Sequence, residues 1–139
     1  MIDFITETSV SAITNSTPHA EALHRREFAL FLLCGFLRER TRSLGGNETV
    51  ELMKRYRYDR CFVSANGIST SLDLLSADHN EFDIKETAIA HSERSYVLAD
   101  ASKFGPTAMY ATRIDAYPNI TLITNNAEYR TDPHVLYVE

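Results

Sequence analysis

No apolar run in this chain approaches the ~18 residues that a membrane-spanning helix needs. The longest, Phe28 to Phe36, has the length of a strand and runs into Arg38, Arg40 and Arg42. A basic excess is also missing: 14 Lys and Arg stand against 19 Asp and Glu, a net charge of −5. A stand-alone nucleic-acid binder carries the opposite balance, so no direct DNA contact by this chain is expected. The first ten residues include Asp3 and Glu7 and no basic cluster, so they do not read as a secretory leader. Cysteine occurs twice, at Cys34 and Cys61, with no CxxC spacing. The histidines (His19, His24, His79, His91, His134) are scattered without an HxxxH or HExxH pattern. Neither a metal nor a cofactor is therefore expected. GxSxG, Walker A and GxGxxG motifs are absent too, and no residue is assigned to catalysis. Each cysteine lies inside an apolar run, which predicts two buried, reduced, strand-borne thiols and suits a cytoplasmic protein.

What is present is an ordinary globular composition, 44% hydrophobic and 24% charged over 139 residues. That length predicts one domain, residues 1–139, with no repeat, linker or low-complexity stretch. Charge is uneven along it. Residues 24–60 hold nine basic and five acidic side chains, a net +4, whereas residues 61–139 come to −6. A basic face on an acidic domain points to an anionic small ligand or a self-association surface. Equally, Arg38, Arg40 and Arg42 could alternate outward from an edge strand.

Short apolar runs predict strands at Ser9–Thr14, Phe28–Leu33, Cys61–Ala65, Ser95–Ala99, Ile120–Thr124 and Val135–Val138. Near-continuous hydrophobicity predicts strands buried on both faces. Helices are predicted at Pro18–Arg25 after the Ser16-Thr17-Pro18 start, at Glu48–Tyr56, and at Glu81–Glu93 after Asp78–Asn80. Alternating strands and helices predict an α/β fold, a mostly parallel sheet flanked by helices.

In such sheets, ligands bind beyond the carboxyl ends of the strands. There the sequence places Asn15-Ser16-Thr17, Asn66-Gly67, Asp100-Ala101-Ser102-Lys103 and Asn125-Asn126. Hydroxyls, amides, free backbone N–H groups and one ammonium could form a phosphate cradle. The same residue types also cap helices and turn chains without any ligand. Asp100 could act as a base or cap its own turn. Glu81 and Lys85, four residues apart, read as a surface salt bridge.

Five segments together resemble a known family. Asp59–Ser69 (DRCFVSANGIS) is similar to the D-x-x-F-x-x-x-x-G-I segment of the C-terminal effector-sensing domain of DeoR-type bacterial transcriptional regulators. Glu81 and Lys85 match its E-x-x-x-K helix start, and Val97–Gly105 resembles its L-A-D-S-S-K-F-G signature. Ile13–Ser16 matches I-T-N-S. Cys34-Gly35, Arg38 and the stretch from Arg42 to Gly45 match G-G-x-x-R…S-x-x-G. Ile120–Thr124 matches the D-x-L-I-T-D strand, with Asn125 replacing Asp. The resemblance implies a ribose-5-phosphate-isomerase-like fold that senses a phosphorylated sugar or related metabolite and forms a homo-oligomer. Carried over residue by residue, it implies ligand contacts from Thr14, Asn15, Ser16, Gly35, Asn66, Gly67, Glu81, Lys85, Asp100 and Lys103.

The departures carry expectations of their own. The family's winged helix-turn-helix, first strand and D-S-G-S-T-type loop have no counterpart before Ser9, and Phe36 stands at the second glycine. A sensing domain clipped at its N-terminus is expected, with exposed sheet surface and a tendency to self-associate. Charge-assisted hydrogen bonds contribute about 1.5–3 kcal/mol each, so losing two would weaken a ligand by roughly two to four decades. Two other readings stay open. One is an interaction or oligomerisation remnant without ligand binding. The other is a sugar-phosphate isomerase, disfavoured because Ala65-Asn66-Gly67 offers no carboxylate pair as base.

Overall fold

The structure is a computed structural model that describes residues 2–7, 9–106 and 108–139. The chain divides into two compact units, Met1–Arg55 and Tyr56–Glu139.

In the first unit, β1 (Ser11–Thr14) leads into α1 (Thr17–Arg25) and β2 (Ala29–Leu32). Ser16 caps α1, its hydroxyl accepting from His19 N at 3.4 Å, and a proline follows in the first turn. The crossover helix returns the chain so that β2 pairs β1 in parallel, Ser11 opposite Ala29 and Thr14 opposite Leu32. A hairpin of β3 (Phe36–Arg38) and β4 (Ser43–Gly45) precedes α2 (Asn47–Met53). Ala20, Leu23, Phe28, Leu33 and Met53 are the buried apolar side chains of this unit.

Several expectations change here. The Phe28–Leu33 run forms a strand that is not buried on both faces, since Phe31 and Leu32 are each 43% exposed. Cys34 is an exposed residue of the turn between β2 and β3, not a buried strand thiol. Arg40 and Arg42 occupy the β3–β4 turn, so the three arginines do not alternate along an edge strand. Arg42 pairs with Glu21 at 3.3 Å.

The second unit contains β5 (Tyr58–Ser64), β6 (Gly67–Ile68), β7 (Leu74–Ser76), α3 (His79–Ala90), β8 (Ser92–Leu98), β9 (Tyr110–Thr112), β10 (Ile120–Thr124) and β11 (Val135–Tyr137). Its main sheet has the order β11-β10-β8-β5, every pair parallel. A small antiparallel sheet, β6-β7-β9, lies outside any sequence expectation. Asp78 starts α3 by accepting from Glu81 N at 2.9 Å. The helix ends at Ala90, three residues before the expected Glu93, because the chain turns directly into β8.

The core of this unit includes Ile68, Leu74, Ile89, Val97, Ile120 and Leu122, with Cys61 and Val63 packed against it. Burial alternates in β10, where Ile120, Leu122 and Thr124 are buried and Thr121 and Ile123 less so. One sheet face thus meets the core and the other stays partly open, correcting the expectation of strands buried on both faces. Asn119 braces the strand entrances, donating to Ile89 O at 3.2 Å and Ser92 O at 2.8 Å.

Candidate functional site

Because β5, β8 and β10 run parallel, the segments after them emerge at one edge of the sheet. Asn66 follows β5, Asp100 follows β8 and Asn125 follows β10. Asn125 Oδ1 accepts from Ala101 N at 2.8 Å, tying two of these loops together. Asp100 takes the N–H of Ser102 at 2.8 Å and also its hydroxyl. These bonds, first from the Ser102 side chain, hold the Asp100 carboxyl below the usual aspartate value. Asp100 therefore caps its own 3-10 turn, one of the two roles left open by the sequence.

Lys103 closes that turn, its N–H donating to Asp100 O at 3.0 Å. Its ammonium makes no ion pair among the described residues. Gly67 faces the following segment at close range: a Cβ there would sit 2.5 Å from Pro106 Cγ and 3.6 Å from Lys103 O. Only a residue without a side chain lets these two segments approach so closely.

Beside them, α3 contributes Glu81 and Lys85. Lys85 Nζ lies 2.7 Å from Glu81 Oε1 and donates to Asn66 Oδ1 at 2.7 Å. Its side chain is only 7% exposed, so this is a buried pair and not the expected surface salt bridge. Burial pushes the Lys85 ammonium below its ordinary value, and the Glu81 hydrogen bond and charge oppose that shift. Asn66, Gly67, Glu81, Lys85, Asp100 and Lys103 thus all belong to the second unit, around the same strand ends. A buried lysine held by one carboxylate and one amide can donate to an anion only by exchanging partners.

The four remaining candidates belong to the first unit. Thr14 Oγ1 accepts from Ser16 N at 3.1 Å and Ser16 caps α1. Asn15 bonds Leu44 through its side chain at 2.9 Å and its carbonyl at 2.7 Å. Gly35 has φ +142°, and a Cβ there would come 2.2 Å from Thr49 Oγ1, which donates to Cys34 O at 2.5 Å. Each has a clear local structural role.

Sequence reasoning passed over Ser102 and Asn125 as bracing groups. The D-x-S and strand-end Asn patterns that signal turn caps were the available cue. Among the described residues there is no group of three His, Cys, Asp or Glu suited to a metal, and no helix long and apolar enough to cross a membrane.

Comparison with known proteins places the chain as a whole. An uncharacterised helix-turn-helix transcriptional regulator of Bacillus subtilis, FruR, is 36% identical over 132 residues, covering 94% of this chain and 52% of that protein. The lactose phosphotransferase system repressor of Staphylococcus epidermidis is 31% identical over 100 residues, 70% of this chain and 39% of its own. The glycerol-3-phosphate regulon repressor of Escherichia coli is 27% identical over 141 residues, 94% and 54%. The chain spans about half the length, or less, of these relatives. The model of the DeoR C-terminal sensor domain matches residues 1–126, a stretch that contains all ten candidate residues and the strands from β1 to β10. The chain belongs to the DeoR C-terminal sensor domain family.

Proposed function

We propose that the chain is the effector-sensing domain of a DeoR-type transcriptional regulator of carbohydrate metabolism and that it binds a phosphorylated sugar or related metabolite. One observation carries the reading: a buried Lys85, shared between Glu81 and Asn66, stands next to strand-end loops that include the unpaired ammonium of Lys103. Lysine is a point-charge partner for phosphate, and paired carboxylate and amide groups suit sugar hydroxyls. In this reading Lys103 meets the phosphate, and the Glu81–Lys85–Asn66 group and Gly67 meet the sugar. Asp100 holds the Lys103 turn. For the first unit taken by itself, Thr14, Asn15, Ser16 and Gly35 are the residues proposed for ligand contact.

Two relatives whose names refer to a sugar transport system and to a phosphorylated triol are regulators, which supports sensing over turnover. The chain acts in the cytoplasm without touching operator DNA itself. It forms a homo-oligomer, since unpaired strand edges recruit partners.

A panel of sugar phosphates added to the purified chain tests this by thermal shift. A ligand at about 100 times its Kd adds about 2.7 kcal/mol of stability. At least one phosphosugar should raise the melting temperature while its unphosphorylated sugar does not, and Lys103→Ala should remove most of that rise. If no member shifts the transition, or Lys103→Ala responds as the parent does, the assignment is wrong. A monomeric mass by light scattering at tens of micromolar would refute the oligomer.

A further inference from the structure

Lys103 ends the 3-10 turn Ala101–Lys103, and the bonds inside that turn are local. Asp100 takes the N–H and hydroxyl of Ser102 and, through its carbonyl, the N–H of Lys103. Bonds between residues so close in the chain set the shape of a turn but not its place on the sheet edge. Contacts from elsewhere do that. Gly105 N donates to Ile68 O at 3.1 Å, which ties the outgoing chain to β6. Ala101 N donates to Asn125 Oδ1 at 2.8 Å. The Phe104 ring stacks on Tyr129, with centroids 5.0 Å apart and planes 21° from parallel.

Asn125 and Tyr129 belong to one segment, the chain that leaves β10. That segment grips the turn at both ends, at Ala101 and at Phe104, with Ser102 and Lys103 between the grips. The two grips differ in strength. Asn125 is exposed, so water competes for its amide oxygen. Phe104 and Tyr129 are partly buried and pack against the core of the unit, so their stack adds apolar burial to a preferred ring geometry. Tyr129 is itself held from both sides. Its N–H donates to Asn126 O at 3.2 Å, and its carbonyl accepts from Asp132 N at 3.0 Å. Asn126 caps the short turn Ala127–Tyr129 by accepting from Glu128 N at 3.2 Å. Beyond that turn the chain pairs with β10 as β11.

We propose, on the reading that Lys103 meets the phosphate, that Tyr129 is a positioning residue for the strand-end site. Through Phe104 its ring holds the turn that carries Lys103, so the ammonium is in place before a phosphate group arrives. A turn that must be ordered at binding costs affinity, and a turn held beforehand does not. Tyr129 lies outside residues 1–126, the stretch matched by the sensor-domain model.

Amide hydrogen exchange by NMR on the full chain, without ligand, reads how firmly the turn is held. Tyr129→Ala should speed exchange at Ala101, Lys103 and Gly105 at least about threefold, and Tyr129→Phe, which keeps the stack, should not. Val135→Ala removes volume from the same core through β11 and should leave these three amides unchanged. Inorganic phosphate then probes the site. In the parent it should shift the Ser102 and Lys103 amide resonances along a saturating curve. Tyr129→Ala should need about three- to tenfold more phosphate, and Tyr129→Phe the same amount as the parent. Unchanged exchange in Tyr129→Ala, equal loosening by Tyr129→Phe, or equal loosening by Val135→Ala would each overturn the positioning role. A parent that responds to phosphate, with Tyr129→Ala responding equally, would overturn the positioning role alone. A parent blind to phosphate would overturn the reading of Lys103 and the positioning role with it.

Discussion

Replacing Lys85 with methionine keeps the length of the side chain and removes its charge. Lys85 is buried, and its ammonium serves both Glu81 Oε1 and Asn66 Oδ1 at 2.7 Å. The variant leaves a Glu81 carboxylate, 21% exposed, without its cation. Breaking a fully buried pair by removing one partner costs about 3–5 kcal/mol. Solvent still reaches Glu81 and Met recovers some apolar burial, so the cost here is about 1–3 kcal/mol. For a chain of this size that lowers the melting temperature by roughly 4–12 °C at neutral pH. Glu81→Gln/Lys85→Met should recover much of the loss, because a neutral amide beside a thioether leaves no buried charge. The pH profile gives a second readout. The folded-state value of Lys85 lies below its ordinary 10.5, so the unfolded chain holds more protons between those two values. Stability of the parent should therefore rise with pH across that window and be lost as pH falls through the folded value, an effect that Lys85→Met lacks. Urea unfolding followed by circular dichroism, run on parent and variant across this range, measures both effects. A Lys85→Met protein as stable as the parent at neutral pH, with an unchanged alkaline profile, would refute the buried-pair account.

Gly67→Ala should destabilise by about 1–3 kcal/mol in urea unfolding, because its Cβ would lie 2.5 Å from Pro106 Cγ and 3.3 Å from Leu75 Cδ1. Thr112→Val should be neutral or stabilising by up to about 2 kcal/mol, since Thr112 Oγ1 is buried in β9 without a hydrogen-bond partner among the described residues; a clear loss of stability would show that the hydroxyl is satisfied. Tyr117 donates to Glu86, and that bond first, then burial, raises its ionisation to about 12. Its stabilising contribution should be complete below about pH 10 and lost as pH climbs through 12, and ultraviolet titration of parent against Tyr117→Phe should show one late-ionising tyrosine missing from the variant.

The parts of this fold legible in the sequence were those whose local signals agree with their burial. Ile120–Thr124 is β-branched at every position but Leu122, bounded by polar residues and inside the core sheet, and its limits match the observed strand. Asp78 announced the start of α3 through its capping side chain, but nothing in Ala90–Arg94 announced its end. No glycine or proline stands there, and a backbone cap at His91 does the work. Phe28–Leu33 misled because an apolar run reports strand propensity, not what lies against it. Strands of two or three residues such as β6, β7 and β9 are too short to show any period. Among the candidate residues, motif resemblance pointed to Glu81 and Lys85 without their environment. An i, i+4 acid–base pair has the same spacing on a wet surface and against a sheet, and only the packing of α3 distinguishes them.

That distinction changes what the pair contributes. A surface ion pair is nearly neutral in free energy, whereas a buried lysine with a depressed ionisation costs stability that an apolar pair of similar volume would not. Lys85 is also adjacent to Asn66 and the Gly67–Pro106 approach, where backbone must stay close and side chains small. A costly polar placement beside an obligatory glycine is what the proposed effector site would account for. An anion arriving at these loops would take over part of the hydrogen bonding of the ammonium and lessen its desolvation cost. The stabilisation on binding should then be larger at a pH where Lys85 is charged than above 10.5, where it is neutral in both states. A ligand-induced thermal shift that is the same on both sides of that value would separate Lys85 from binding and leave its cost unexplained by an effector.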